Sequence, residues 1–142
     1  PVMTKRIAFL VMALIWVTMN SPGQNFIGMH ADEIKAIMKQ QHTGFLLNTS
    51  TINPHFNYLK YENEEGTQTM LIFLNEQDQC KYYKRRCHYV HLPEMTVQLN
   101  AHSRRENDSL WVFQDDHRNF SQVLIKGDWF FTITTRPLVS DH

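Results

Sequence analysis

The sequence predicts an α+β domain: an antiparallel sheet of about six strands, in helix-βββ-helix-βββ order, with both helices packed on one face. Three observations lead there. Two stretches repeat apolar residues at helical spacing, and short strand-like runs separated by polar or glycine-containing turns follow each of them. The length of 142 residues fits a single domain, and 42% hydrophobic residues supply a core while five glycines and five prolines are too few for a low-complexity chain.

The first helix is expected in Ala31–Gln41, where Ile34, Ile37 and Met38 share a face and Lys35 and Lys39 lie off it. Asp32 and Glu33 fall in its first turn, where negative charge suits the helix dipole, and Gly44 is placed to stop it. The Asn-, Thr- and Ser-rich run from Gly44 to Pro54 reads as a loop. Tyr58–Glu62 is the first predicted strand, with Asn63-Glu64-Glu65-Gly66 as its turn. Thr69–Leu74 is the second, and it is apolar on both sides: Leu71 and Phe73 point one way, Met70, Ile72 and Leu74 the other. Such a strand belongs in the centre of a sheet. Asn75–Gln79 is a polar turn and Cys80–Arg86 a third strand, whose lysines and arginines suggest a sheet edge guarded against pairing.

Leu92–Ala101 is the second helix, with Pro93 at a tolerated early position and Leu92, Met95 and Leu99 on one face. Ser103–Ser109 is charged and loop-like. Leu110–Phe113, Phe120–Lys126 and Trp129–Thr135 complete the strands, with Gly127-Asp128 as a tight turn and Trp129, Phe131 and Ile133 expected on one face. The order suggests a faint internal repeat of about 60 residues, without residue identity to support it.

Residues 1–23 read as a cleaved signal peptide. Lys5-Arg6 precede the unbroken apolar run Ile7–Val17, and small polar residues up to Gly23 follow. A bilayer span needs about 20 apolar residues, so no stable membrane anchor is expected after cleavage. Residues 24–142 then form the single α+β domain, exported to the periplasm or secreted. Losing Lys5 and Arg6 from a chain with 14 basic and 14 acidic residues leaves a slightly acidic balance. That argues against nucleic acid as the partner.

Gly28-Met29-x-x-x-Glu33-Ile34 resembles the opening of the first helix in small exported modules of the outer-membrane assembly lipoprotein and beta-lactamase-inhibitor-protein type. Here His30 stands at the usual capping Ser/Thr, and the lipid-bearing cysteine of the lipoproteins is absent. The resemblance implies short helices paired with an antiparallel meander and a role in binding other proteins, without catalysis.

Candidate chemistry is sparse. Cys80 and Cys87 are the only cysteines. In an exported domain an even count suggests a disulfide. Seven steps of extended strand span about 23 Å, however, against roughly 4.4–6.8 Å between bridged Cα atoms, so pairing requires the chain to turn between them. Buried or intermolecular thiols are the alternative. Cys80, Cys87, His88 and His91 have the residue types of a zinc site, at a spacing that matches no compact knuckle, and a zinc-stabilised domain is one alternative reading. A small thiol/histidine hydrolase-like enzyme using Cys87 is another. Lys81, Lys84, Arg85 and Arg86 interleave with Tyr82 and Tyr83, but strand alternation divides those charges between two faces. Asp115-Asp116-His117 reads as a solvated turn.

No glycine-rich phosphate loop, nucleophile elbow or H-E-x-x-H motif is present. The leading expectation is therefore a small, non-catalytic exported module that needs no cofactor. It would bind a protein or small ligand in the envelope or extracellular space. Tyr58, Tyr61, Tyr82 and Tyr83 are the candidate contacts, with Trp129 expected in the core or at the same surface. If one face of the sheet lies open, Met70, Ile72 and Leu74, or Leu71 and Phe73, would form a partner or homodimer surface.

Overall fold

The computed structural model describes residues 25–49 and 55–139, so the signal peptide expected in residues 1–23 lies outside the described residues. Among them are two α-helices, α1 (Ala31–Gln41) and α2 (Leu92–His102). Eight strands accompany them: β1 (Phe45–Leu47), β2 (Tyr58–Asn63), β3 (Gln68–Leu74), β4 (Cys80–His88), β5 (Arg104–Arg105), β6 (Leu110–Asp115), β7 (Arg118–Lys126) and β8 (Phe130–Pro137). A single 3₁₀ turn, Tyr89–His91, joins β4 to α2. The fold is α+β with one antiparallel sheet in the order β1-β2-β3-β4-β8-β7-β6-β5.

The sheet has eight strands where six were expected, and each helix is followed by four. Each half is a plain meander, and the halves meet where β4 pairs antiparallel with β8, Tyr83 opposite Thr135 through His88 opposite Phe130. The centre of the sheet is therefore the β4–β8 pair. The apolar strand β3 lies one place to the side, and β4 is no edge despite its charges. The two additional strands are the true edges, β1 of three residues and β5 of two. Short edges of this kind offer little template for a foreign strand.

Local chemistry explains the elements. His30 caps α1 in place of a serine or threonine, its Nδ1 accepting from the backbone N–H of Asp32 at 3.1 Å. The β2–β3 turn is closed by Asn63, whose Oδ1 accepts from the Gln68 N–H at 2.9 Å and whose amide donates to Thr67 Oγ1 at 2.8 Å. Asn75 does the same for the β3–β4 turn, its Oδ1 accepting from the N–H groups of Gln77 and Gln79. Asp116 and His117, at φ 49° and 62°, form a two-residue β6–β7 hairpin turn whose twist matches the strands.

Register assigns every strand residue to a face. Leu59 and Tyr61, Met70 and Ile72, Tyr83, Arg85 and Cys87, Phe131 and Ile133, Leu124 and Phe120, and Trp111 all point to the helix side. There they form two cores. One gathers Ile34 and Met38 of α1 with Phe26, Leu59, Tyr61, Met70, Ile72, Leu74, Cys80 and Tyr83. The other gathers Met95 and Leu99 of α2 with Cys87, Trp111, Leu124, Phe131 and Ile133. Between them, on the helix side of β4, Arg85 donates from Nε and Nη2 to Gln68 Oε1 at 3.1 and 2.7 Å. This charge-assisted pair ties β4 to β3 within the first half, beside the seam with β8.

Trp129 departs from the expected strand face. Gly127 and Phe130 close the β7–β8 turn by an N–H to carbonyl bond of 2.8 Å, and a Cβ on Gly127 would meet that carbonyl at 2.9 Å. The strand thus begins at Phe130, and Trp129 is left in the turn, 79% exposed. No helix among the described residues is long and apolar enough to cross a membrane.

Candidate functional site

Because α1 and α2 sit on one side, the other face of the sheet carries no helix among the described residues, and its side chains follow from the register. In one row Tyr58, Phe73, Tyr82 and Arg136 stand side by side on β2, β3, β4 and β8. The Tyr58 and Phe73 rings are 6.0 Å apart, and Phe73 and Tyr82 are stacked at 4.5 Å and 19°. The Arg136 guanidinium lies 4.4 Å from the Tyr82 ring. In the next rows Lys84 stands 5.9 Å from the Phe73 ring and Arg86 lies 4.0 Å over Phe130. His88 meets Phe130 edge-on at 6.2 Å. Trp129, exposed in the turn beside Phe130, adds an aromatic at that end.

Electrostatics sets this face apart. Lys60 is paired with Glu62 at 3.3 Å, and Glu62 is the one acid among the strand residues of this face. Lys84, Arg86 and Arg136 make no ion pair with any described residue; an aromatic ring is the neighbour that orders each of them. Their aliphatic stems lie along the sheet while their charges stay at its surface. Across β8, β7 and β6 the same face turns small and aliphatic, with Thr132, Thr134, Val123, Ile125, Leu110 and Val112. Thr134, in the central pair, is only 7% exposed even on this side, flanked by the longer Lys84 and Val123 in its row.

Tyr58 and Tyr82 are thus brought together with Phe73 on the open face, as candidate contacts should be. Tyr61 and Tyr83 are not. They point to the helix side and are 4% and 9% exposed, which removes them from any contact surface. Tyr83 packs edge-on against Phe26 at 5.4 Å, and burial pushes its hydroxyl pKa up to about 12. Leu71 and Phe73 take the open face, while Met70, Ile72 and Leu74 are buried in the core with α1, so of the two alternatives for that surface the pair Leu71 and Phe73 is the one placed there.

The cysteines stand apart. β4 is continuous from Cys80 to His88, with Cys80 opposite Leu74 and Cys87 opposite Gln68, so the chain never turns to bring them together and both are free. They lie in different cores, so the intramolecular bridge is not formed and the thiols are buried, as in the alternative reading. Burial pushes the Cys80 thiol up to about 12 and raises that of Cys87, so both are protonated, poorly nucleophilic groups at neutral pH. The zinc constellation does not assemble either. Alternation puts Cys87 on the helix side and His88 on the open face, and His91 instead meets Thr67 Oγ1 through Nε2 at 2.9 Å. No group of three or more His, Cys, Asp or Glu stands together among the described residues.

Two features were hidden from the sequence. The cations of β4 belong to the middle of the sheet, and Arg136 and Phe130, some fifty residues away in the chain, complete their surface. Their only advance signal was the tyrosine–cation alternation of Tyr82, Lys84 and Arg86. A shallow cleft of about 520 Å³ lies at the β5–β6 edge beside His102, Arg104 and Phe113. Arg104 is already paired there with Glu106 at 2.6 Å. No protein-family model, curated protein or solved structure matches this chain.

Proposed function

We propose that this protein is a non-catalytic binding module, working in the envelope or outside the cell, whose partner docks on the face of the sheet opposite α1 and α2. The observation that carries this reading is the row Tyr58–Phe73–Tyr82–Arg136 with Lys84 and Arg86 beside it. Aromatic rings and arginines held rigidly at a surface are the groups that dominate protein interfaces. Here the rings are ordered by their neighbours, so little side-chain entropy remains to be lost on docking. Among the described residues the same face brings no nucleophile and base together, and the two thiols lie buried on the opposite side.

Co-purification from the envelope and secreted fractions of the native host tests the reading. The wild-type chain and a Lys39→Glu variant, altered on the exposed side of α1, should retain the same partner. A Tyr58→Ser/Tyr82→Ser variant should lose it while keeping the wild-type far-ultraviolet circular dichroism. Retention by the tyrosine variant together with loss by Lys39→Glu would place the docking surface on the helices and refute the proposal.

A further inference from the structure

We infer that the segment received by this face belongs to a partner protein and is acidic, with carboxylates set beside an aliphatic patch; this rests on the open face being the docking surface. The charge pattern chooses the sign. Lys84, Arg86 and Arg136 lack ion-pair partners among the described residues, and Glu62, the one acid among the strand residues of the face, is already held by Lys60. Ring geometry chooses the class. Phe73 and Tyr82 stack on each other, Arg136 lies over Tyr82 and Arg86 over Phe130, so these ring faces are occupied and no flat platform remains for a nucleobase. Ring edges carry the positive end of the aromatic quadrupole, and together with the cations they favour carboxylates.

Spacing chooses the pattern. Arg86 on β4 and Ile125 on β7 share a row through Thr132, as Lys84 and Val123 do through Thr134. Two strand spacings separate each pair, about 10 Å, which lies between the two- and four-residue separations at which an extended peptide presents side chains on one face. A matching segment therefore puts an acidic side chain over β4 and an aliphatic one over β7. A second copy of this chain does not fit, because the same face would set its own unpaired cations against each other. A nucleic acid would leave Val123, Ile125, Leu110 and Val112 without apolar contacts.

Fluorescence anisotropy with the intact domain tests the inference against three labelled probes: a short extended peptide that carries two Glu and then two Val on one face (Glu-Ser-Glu-Ser-Val-Ser-Val), its Gln-for-Glu counterpart, and an oligothymidylate of similar length. Amide chemical shifts locate whatever binds. The acidic peptide should bind best, weaken several-fold as salt rises, and shift resonances of β3, β4, β8 and β7. Arg86→Gln/Arg136→Gln should weaken it about tenfold. Because that pair also removes ring contacts, Glu62→Gln provides a second variant that leaves the cations in place and should tighten binding about twofold. Equal binding of the Gln peptide, tighter binding of the oligonucleotide, or no binding of the acidic peptide overturns the inference, and leaves the docking face to be judged by its own co-purification test. Binding that shifts only α1 and α2 overturns the docking face as well.

Discussion

If the ladder face is uncovered, its aromatics must contribute less to stability than aromatics of the same size on the helix side. Phe73 and Phe131 make the comparison, one half-buried on the open face and the other 0% exposed in the core with α2. Full burial of a phenylalanine contributes roughly 1.5–3 kcal/mol, so the half-buried Phe73 draws about half of that. Its stacking on Tyr82 adds about 1 kcal/mol. Phe73→Ala should then cost about 2 kcal/mol, leaving a groove open to water and no sealed cavity. Phe131→Ala leaves a void between α2 and the sheet and should cost about 3–5 kcal/mol. Urea unfolding followed by the fluorescence of Trp111, buried in the same core, reads both values. A Phe73/Tyr82 double-mutant cycle should return a coupling of about 1 kcal/mol. Equal costs for Phe73→Ala and Phe131→Ala would refute the reasoning, because they would mean that something seals the ladder face as α2 seals the other.

Three further outcomes follow from the buried groups. Cys80 and Tyr83 hold their protons more tightly folded than unfolded, both pushed up to about 12 chiefly by burial. Their contribution is therefore complete below the unfolded thiol value of 9.0 and is lost as pH rises toward 12; Cys80→Ala should delay the onset of alkaline unfolding toward the tyrosine range. His42 is shifted the other way, lowered by burial and then by Arg85, and its buried Nε2 has no hydrogen-bond partner among the described residues. Its contribution is complete above 6.5 and declines as pH falls through the lowered folded value, so the urea midpoint should drop between about pH 7.5 and about pH 5, by less in His42→Gln. Finally, a thiol reagent added under non-reducing conditions should find both cysteines unreactive in the native protein and two free thiols in urea; no free thiol in urea would contradict the separation of Cys80 from Cys87.

The helices, four of the turns and the six longer strands were legible because each carries its own local signal. Apolar spacing announces α1 and α2, and Asn63, Asn75, Asp116 and Gly127 mark turns by chemistry that operates within a few residues. The edges were not legible, since three residues in β1 and two in β5 are too short for any period to register. The order of the strands was misread at β4 for a different reason. Its Lys84 and Arg86 resemble the charges of a guarded edge, yet they lie over Phe73 and Phe130 in the middle of the sheet. Only the pairing of β4 with β8 reveals those neighbours.

The candidate site divides in the same way. Tyr58 and Tyr82 could be proposed as contacts from composition, but whether a tyrosine faces a partner or a core depends on which side the helices choose. Tyr61 and Tyr83 went to the core because they share a face with Met70 and Ile72, under α1. Trp129 went to solvent because the Gly127–Phe130 turn starts β8 one residue later than alternation alone suggests.

Site-specific photo-cross-linking in the native host tests the central claim most directly. A photoreactive residue replacing Thr132, in the middle of the open face, should capture a protein partner on irradiation. The same residue replacing Lys35, exposed on α1, should capture none. Cross-links formed from position 35 and absent from position 132 would contradict the account.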